Sequence, residues 1–283
     1  MTSGISNVTR SWDMPVSGRR CHRQENRRER NVLSETEVFR GPWLRRCGGA
    51  PRPALRLICL PYAGAGASMF GEWRLPGDLA AEIWAVQPPG REYRWSEPPI
   101  RRADLLAEQI AQAVQPLLDV PCAVFGHSMG ALLAFEVCRR LRRSVGPQPV
   151  RLIVSGHRAP HLPPWRPEAS TLSDEGLLAR LDEMAGPSVT VLRDRALLLA
   201  MAPLIRADLE MCERYVYVDE PPLDLPLTCL AATDDPEVRL DEMVAWRHHT
   251  TRECGVRPFT GGHLFLRDRV GEVLDHVAED LAT

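Results

Sequence analysis

Lysine is absent from this chain: all 35 of its basic residues are arginine. Together with 25 prolines and many alanines, that skew reads as the codon bias of a GC-rich genome and carries no functional message. The eight cysteines (Cys21, Cys47, Cys59, Cys122, Cys138, Cys212, Cys229 and Cys254) include no C-x-x-C pair, which argues against a zinc site and against a disulfide framework. Cys59, Cys122 and Cys229 fall in apolar, strand-like runs, so reduced, buried thiols of a cytoplasmic protein are expected. No stretch approaches the ~18 consecutive apolar residues of a membrane span, and the N-terminus has no apolar signal-peptide core. A net charge of −2 gives no bulk attraction to nucleic acid or to an anionic membrane.

What is present suits one sizeable soluble core: 283 residues, 44% hydrophobic and 25% charged. Residues 1–40 stand apart. They hold few apolar residues, show no periodicity and cluster arginines (Arg19, Arg20, Arg23, Arg27, Arg28, Arg30), so a disordered basic arm is expected. From Arg56 the signals alternate. Strands are predicted at Arg56–Leu60, Ile83–Val86, Cys122–Phe125, Val150–Ser155, Leu227–Ala231 and Val256–Phe259. Helices are predicted around Met69–Ala80 and over 102–118, 129–143, 238–250 and 267–281. Such alternation means a mostly parallel sheet covered on both faces. Residues 160–224 break it with a Pro-rich start and helical pieces at 173–185 and 191–214. A helical lid over the strand ends is expected there, within a domain spanning 41–283.

The strand ending at Phe125 runs into Gly126-His127-Ser128-Met129-Gly130 and then a helix. That is G-x-S-x-G in the strand–turn–helix setting of an α/β-hydrolase nucleophile, which makes Ser128 the candidate. His127 is expected to point away from it as a supporting residue. In this fold the acid and then the histidine follow in the chain. Gly261-Gly262-His263 lies after the last strand and supplies the base; His157, His161, His248 and His249 lack that setting. The acid belongs at the end of the preceding strand, where Asp234 and Asp235 both qualify and Asp235 is preferred; Asp224 precedes the strand and falls at its wrong end. Two backbone N–H groups, of Met129 and Ala63, are assigned by position to the oxyanion hole. Arg91 and Glu92, just past the second predicted strand, read either as part of the site rim or as a solvated surface pair, and the surface pair is preferred.

Leu60-Pro61-Tyr62-Ala63-Gly64, Ala85-Val86-Gln87-Pro88-Pro89-Gly90-Arg91-Glu92, Phe125 to Gly130, Arg158-Ala159-Pro160-His161, Asp234-Asp235-Pro236 and Gly261 to Leu266 occur here in one order. Together, from about Trp43 to the C-terminus, they resemble the type II (external, editing) thioesterases of polyketide and nonribosomal peptide synthetases. The resemblance implies removal of aberrant acyl units from the phosphopantetheine arm of acyl or peptidyl carrier protein domains, with no metal or redox cofactor. It also implies that the aspartate beside proline, Asp235, is the triad acid. Two positions depart from the family pattern. Tyr62 stands where a histidine is usual, and Gly64-Ala65 where Gly-Gly is frequent. The triad alone leaves open a generic carboxylesterase or lipase, and a non-catalytic binding protein on the same fold.

Overall fold

The computed structural model of the chain describes residues 39–185 and 194–282. Eight strands form one sheet: β1 (Phe39–Arg40), β2 (Leu44–Gly49), β3 (Leu55–Leu60), β4 (Ala81–Val86), β5 (Cys122–His127), β6 (Arg151–Ser155), β7 (Leu227–Ala232) and β8 (Cys254–Phe259). Their spatial order is β1-β2-β4-β3-β5-β6-β7-β8. From β4 to β8 every pairing is parallel, while β2 runs antiparallel to β4 and β1 antiparallel to β2. This mostly parallel sheet with helices on both faces is the expected α/β-hydrolase class.

Alternation along the central strands sends side chains to two cores. Ile58 and Leu60 of β3, and Cys122 and Val124 of β5, pack on one face with helices α1 (Ala103–Val114) and α2 (Met129–Arg143). Leu57, Cys59, Ala123 and Phe125 face the other side, against Phe70, Trp73 and the C-terminal helices α6 (Phe265–Asp268) and α7 (Val270–Leu281). Apart from Arg56 near the start of β3 and His127 at the end of β5, these central strands are apolar because both of their faces are buried. α3 (Asp174–Ala185) and α4 (Arg195–Glu213) are inserted between β6 and β7, and α5 (Leu240–Val244) follows β7.

Several expectations are corrected. Phe39 and Arg40, assigned to the arm, form an edge strand, with Phe39 stacked edge-on against Tyr93; the rest of the predicted arm lies outside the described residues. β2 was not anticipated, because Leu44-Arg45-Arg46-Cys47-Gly48-Gly49 has neither an apolar run nor clean alternation, and its pairing with β4 shifts register between Arg46 and Gly48. No α-helix covers 69–80; short 3-10 turns at Ala67–Phe70 and Gly77–Leu79 take its place. Gly71, Pro76 and Gly77 break it, and Phe70 and Trp73 are spent on an aromatic cluster with Phe125. The helix expected at 238–250 is α5 followed by a 3-10 turn, and that at 267–281 begins two residues earlier and breaks between Asp268 and Val270. Among the described residues no helix is long and apolar enough to cross a membrane, and the seven described cysteines are free thiols.

Candidate active site

Ser128 sits alone between β5 and α2 with φ 54° and ψ −119°, a conformation that costs an L-residue energy and persists only where the surroundings enforce it. Its N–H donates to Ser155 O on β6 at 2.7 Å, and its own carbonyl starts the helix by accepting from Ala131 N at 2.9 Å. The flanking glycines are packing requirements. A Cβ on Gly126 would lie 2.0 Å from Gly130 O, and one on Gly130 would lie 2.2 Å from Leu60 O. The turn is thus pressed between its own helix and the end of β3, and it holds the hydroxyl at the positive end of the α2 dipole.

His263 enters from the loop after β8, where Gly261 at φ 131° allows the sharp turn. The ring is 2% exposed. Its Nε2 lies 2.9 Å from Ser128 Oγ, and its Nδ1 lies 2.8 and 3.1 Å from Asp235 Oδ2 and Oδ1. Asp235 Oδ1 also accepts the amides of Glu237 (2.8 Å) and Val238 (3.2 Å), which fixes the carboxylate before any substrate arrives. Asp234 is exposed and accepts from the Thr233 hydroxyl instead, so Asp235 is the carboxylate that reaches the imidazole. Burial pulls the His263 pKa down, but the charge and hydrogen bond of Asp235 outweigh it and raise the value above 6.5. With Nδ1–H directed at the carboxylate, the Nε2 lone pair faces the hydroxyl.

The other histidines do different things. His127 is fully buried, with Nδ1 2.9 Å from Ser155 Oγ and its ring 5.2 Å from that of His263; burial holds its pKa well below the ordinary range, so it backs the His263 ring as a neutral wall. His161 and His249 face each other at 2.8 Å, and His248 Nδ1 lies 2.9 Å from Ala245 O. Burial brings His157 down to about 3, with Nδ1 2.7 Å from Arg158 O. Asp224 is exposed and paired with Arg252. Tyr62 packs edge-on against His127, and its hydroxyl accepts from Arg267.

The surface reading holds for Glu92, which is exposed, and fails for Arg91. Arg91 is 3% exposed and grips Asp208 of α4 through two bonds of 2.6 and 2.8 Å, while Glu92 accepts the amide and hydroxyl of Ser68. The partner lies 117 residues away, so local sequence gave no hint from the Arg91 side. The signal was in α4, where Asp208 falls on the buried face among Leu204, Ile205, Ala207 and Met211. A carboxylate on a buried helix face calls for a cation.

Two cavities meet at Ser128 and His263. One, of about 180 Å³, is almost wholly apolar and is walled by Leu181, Leu198, Met201 and Ile205 of the inserted helices and by Tyr62 and Leu264. The second, of about 100 Å³, is the more polar of the two, with Arg158, Arg166, Arg180 and Glu213 beside the apolar Trp165 and Leu209 on its walls. Cys212 also borders it, but burial pushes this thiol up to about 12 and keeps it protonated. Ala63 and Met129, whose amides were assigned to the oxyanion hole, both border the polar cavity, and Ala63 the apolar one as well.

Comparison with known proteins gives this geometry a family. Residues 55–281 match the thioesterase domain model. The chain is 37% identical over 227 residues to the gramicidin S biosynthesis protein GrsT of Aneurinibacillus migulanus, covering 80% of this chain and 89% of that one. It is also 37% identical over 245 residues to thioesterase PikA5 of Streptomyces venezuelae, covering 86% and 87%. Among solved structures, the type II thioesterase BorB of the borrelidin biosynthetic cluster superimposes with a TM-score of 0.78 at 35% identity, over 86% of this chain and 99% of that one. The chain therefore belongs to the thioesterase family, as a member of its type II group.

Proposed function

We propose that this enzyme hydrolyses acyl groups from the phosphopantetheine arm of carrier-protein domains in polyketide or nonribosomal peptide synthesis, clearing aberrant units. Ser128 is the nucleophile, His263 the base and Asp235 the acid that orients it. One observation carries the reading: the unbroken Asp235–His263–Ser128 hydrogen-bonded line ends where two cavities meet, one almost wholly apolar and one lined in part by arginines and glutamates. A thioester has two unlike halves, an apolar acyl chain and an amide-rich pantetheine, and each cavity suits one of them.

In this mechanism Ser128 Oγ attacks the thioester carbonyl as His263 Nε2 takes its proton. The amides of Ala63 and Met129 stabilise the tetrahedral oxyanion, and the thiol leaves, protonated by His263. Water then enters, gives a proton to His263 and attacks the acyl-enzyme, releasing the free acid and restoring Ser128. Every proton and electron pair in this cycle is handled by protein groups, water or the leaving thiol. Helices α3 and α4 serve as the lid, and the reading assigns the enzyme to the cytoplasm.

The test is release of free acid from a panel of acyl groups loaded on a carrier protein, with the matching oxygen esters alongside. Wild type releases acid from the thioesters in preference, and Ser128→Ala neither turns over nor takes up a fluorophosphonate label. Labelling of Ser128→Ala at the wild-type rate sinks the nucleophile assignment, and a preference for oxygen esters sinks the thioesterase reading.

A further inference from the structure

The amide of Ala63 works only if the turn that carries it is held still, and the structure shows what holds it. The turn closes on itself through Ala65 N to Tyr62 O at 3.0 Å. Its other main-chain holds lead to one place. Gly64 N donates to Asp208 Oδ2 at 2.8 Å, and Ala65 O accepts from Arg91 Nη1 at 3.1 Å. Arg91 and Asp208 are themselves joined by both guanidinium nitrogens, at 3% and 1% side-chain exposure. Arg91 is tied back to the sheet side, because its carbonyl accepts from Gln87 Nε2 at 2.9 Å, and Gln87 Oε1 accepts the Ala67 amide at 2.8 Å. Asp208 belongs to α4, one of the two inserted helices. The fit is also steric: Gly64 sits at φ 78°, and a Cβ there would lie 2.8 Å from Ile205 Cγ1, one turn before Asp208.

From this we infer that Asp208 and Arg91 are positioning residues that build the oxyanion hole only when helix α4 is seated. The inference rests on the oxyanion role proposed for Ala63. If α4 lifts, the acceptor for Gly64 N leaves with it, Arg91 loses its counter-ion, and the turn is no longer held at the two peptides after Ala63. The acid–base line of Ser128, His263 and Asp235 makes no contact with this pair and stays intact. Opening the lid therefore disarms stabilisation of the oxyanion without disturbing the base. An open enzyme is a poor hydrolase of whatever thioester or ester diffuses in, and it becomes competent when a substrate lets the lid close. A displacement of ~1 Å at a catalytic group is enough to cost ~10²-fold in rate.

The test uses the full-length chain with Asp208→Asn, and with the double variant Arg91→Met/Asp208→Leu. The double variant removes both charges and leaves no buried ion unpaired, the replacement that buried ion pairs tolerate best. Substrate hydrolysis, inhibition by an alkyl boronic acid and fluorophosphonate titration of active sites are measured together, with a thermal melt. The boronate becomes tetrahedral on Ser128 and needs the same amides as the transition state. Expected for the double variant are a folded protein with full labelling stoichiometry, kcat down ~10²-fold, KM little changed, boronate affinity down in parallel, and the acid limb of the pH profile unmoved. Asp208→Asn, which keeps an oxygen for Gly64 N but turns an amide towards Arg91, falls between. A folded double variant with kcat and boronate affinity within about threefold of wild type, a small fraction of the loss of one oxyanion donor, overturns the proposal and leaves the pair a structural tie. If wild type releases no acid from any carrier, the proposed function fails, yet boronate protection against labelling still reads the positioning claim.

Discussion

Replacing Asp235 with asparagine tests the hydrogen-bonded line at the point where the structure makes the sharpest statement. Asp235 Oδ1 already accepts two main-chain amides, from Glu237 and Val238. In Asp235→Asn those two donors keep the side-chain oxygen on their side, and the new NH₂ must turn towards His263 Nδ1, 2.8 Å from the present Oδ2. An NH₂ facing Nδ1 demands a lone pair there, so the proton moves to Nε2, the nitrogen 2.9 Å from Ser128 Oγ. The base then presents a hydrogen where it needs a lone pair. The same exchange in serine proteases costs ~10⁴-fold in kcat, about 5 kcal/mol of barrier. A thiolate leaves more easily than an amine, so a loss of ~10³-fold or more is expected in kcat/KM, scaled from that case. The fold survives, since the two amide bonds to Oδ1 are kept. The assay is stopped-time release of free acid from an acyl carrier, with Asp234→Asn as the control and thermal melts on both. A loss below about tenfold, far short of that protease cost, or a greater loss in Asp234→Asn, refutes the tautomer argument.

Because Asp235 raises the His263 pKa and only neutral imidazole accepts the Ser128 proton, activity falls as pH drops through a value above 6.5; an acid midpoint at or below 6.5 in the wild-type pH–rate profile contradicts this. Filling the apolar cavity with Met201→Trp cuts hydrolysis of chains beyond about two carbons and spares acetyl, since the present ~180 Å³ accommodates about six carbons by comparison with a 150 Å³ cavity that holds benzene; a uniform loss across an acyl-length series counts against that cavity as the acyl site. Removing the Arg158 guanidinium with Arg158→Gln raises KM for acyl-pantetheine several-fold and leaves acyl-N-acetylcysteamine unaffected, since only the longer thiol reaches into the polar cavity; equal effects on both substrates place the arm elsewhere. Gly130→Ala forces a Cβ to 2.2 Å from Leu60 O and lowers stability by ~1–3 kcal/mol or more, read as a drop in melting temperature; an unchanged melt means the turn is not pressed against β3.

Local chemistry made the central sheet and the nucleophile legible. β4 to β7 are bounded by turn residues and buried on both faces, so each reads as an apolar run, and Ser128 and His263 are flanked by glycines that only a tight turn requires. The choice between Asp234 and Asp235 was not local. It depends on which carboxylate the turn after β7 swings towards a histidine 28 residues on, and backbone direction at a turn is not written in adjacent identical side chains. β2 escaped because a strand next to the sheet edge, half-buried at Arg45 and Arg46, carries arginines there as readily as apolar residues. The Met69–Ala80 stretch escaped because its aromatics are spaced for a helix yet serve a cluster with Phe125. Arg91 was read as a surface residue because an arginine beside a glutamate usually is one; only folding brings it to Asp208.

The two cavities at Ser128 share a party wall. Met184 of α3 and Leu209 of α4 border both the apolar and the polar space, whereas Leu181, Leu198, Met201 and Ile205 border the apolar one and not the other. On the proposed reading, the residues that measure the acyl chain are therefore largely separate from those that greet the pantetheine. A lineage can re-tailor what it edits by exchanging Leu181, Leu198 or Met201 while its hold on the carrier stays as it was. A change at Met184 or Leu209 alters both at once. Ile205 is the exception within the acyl set, since it also packs over Gly64, and there a new acyl preference comes at the expense of the machinery that makes the ester bond break.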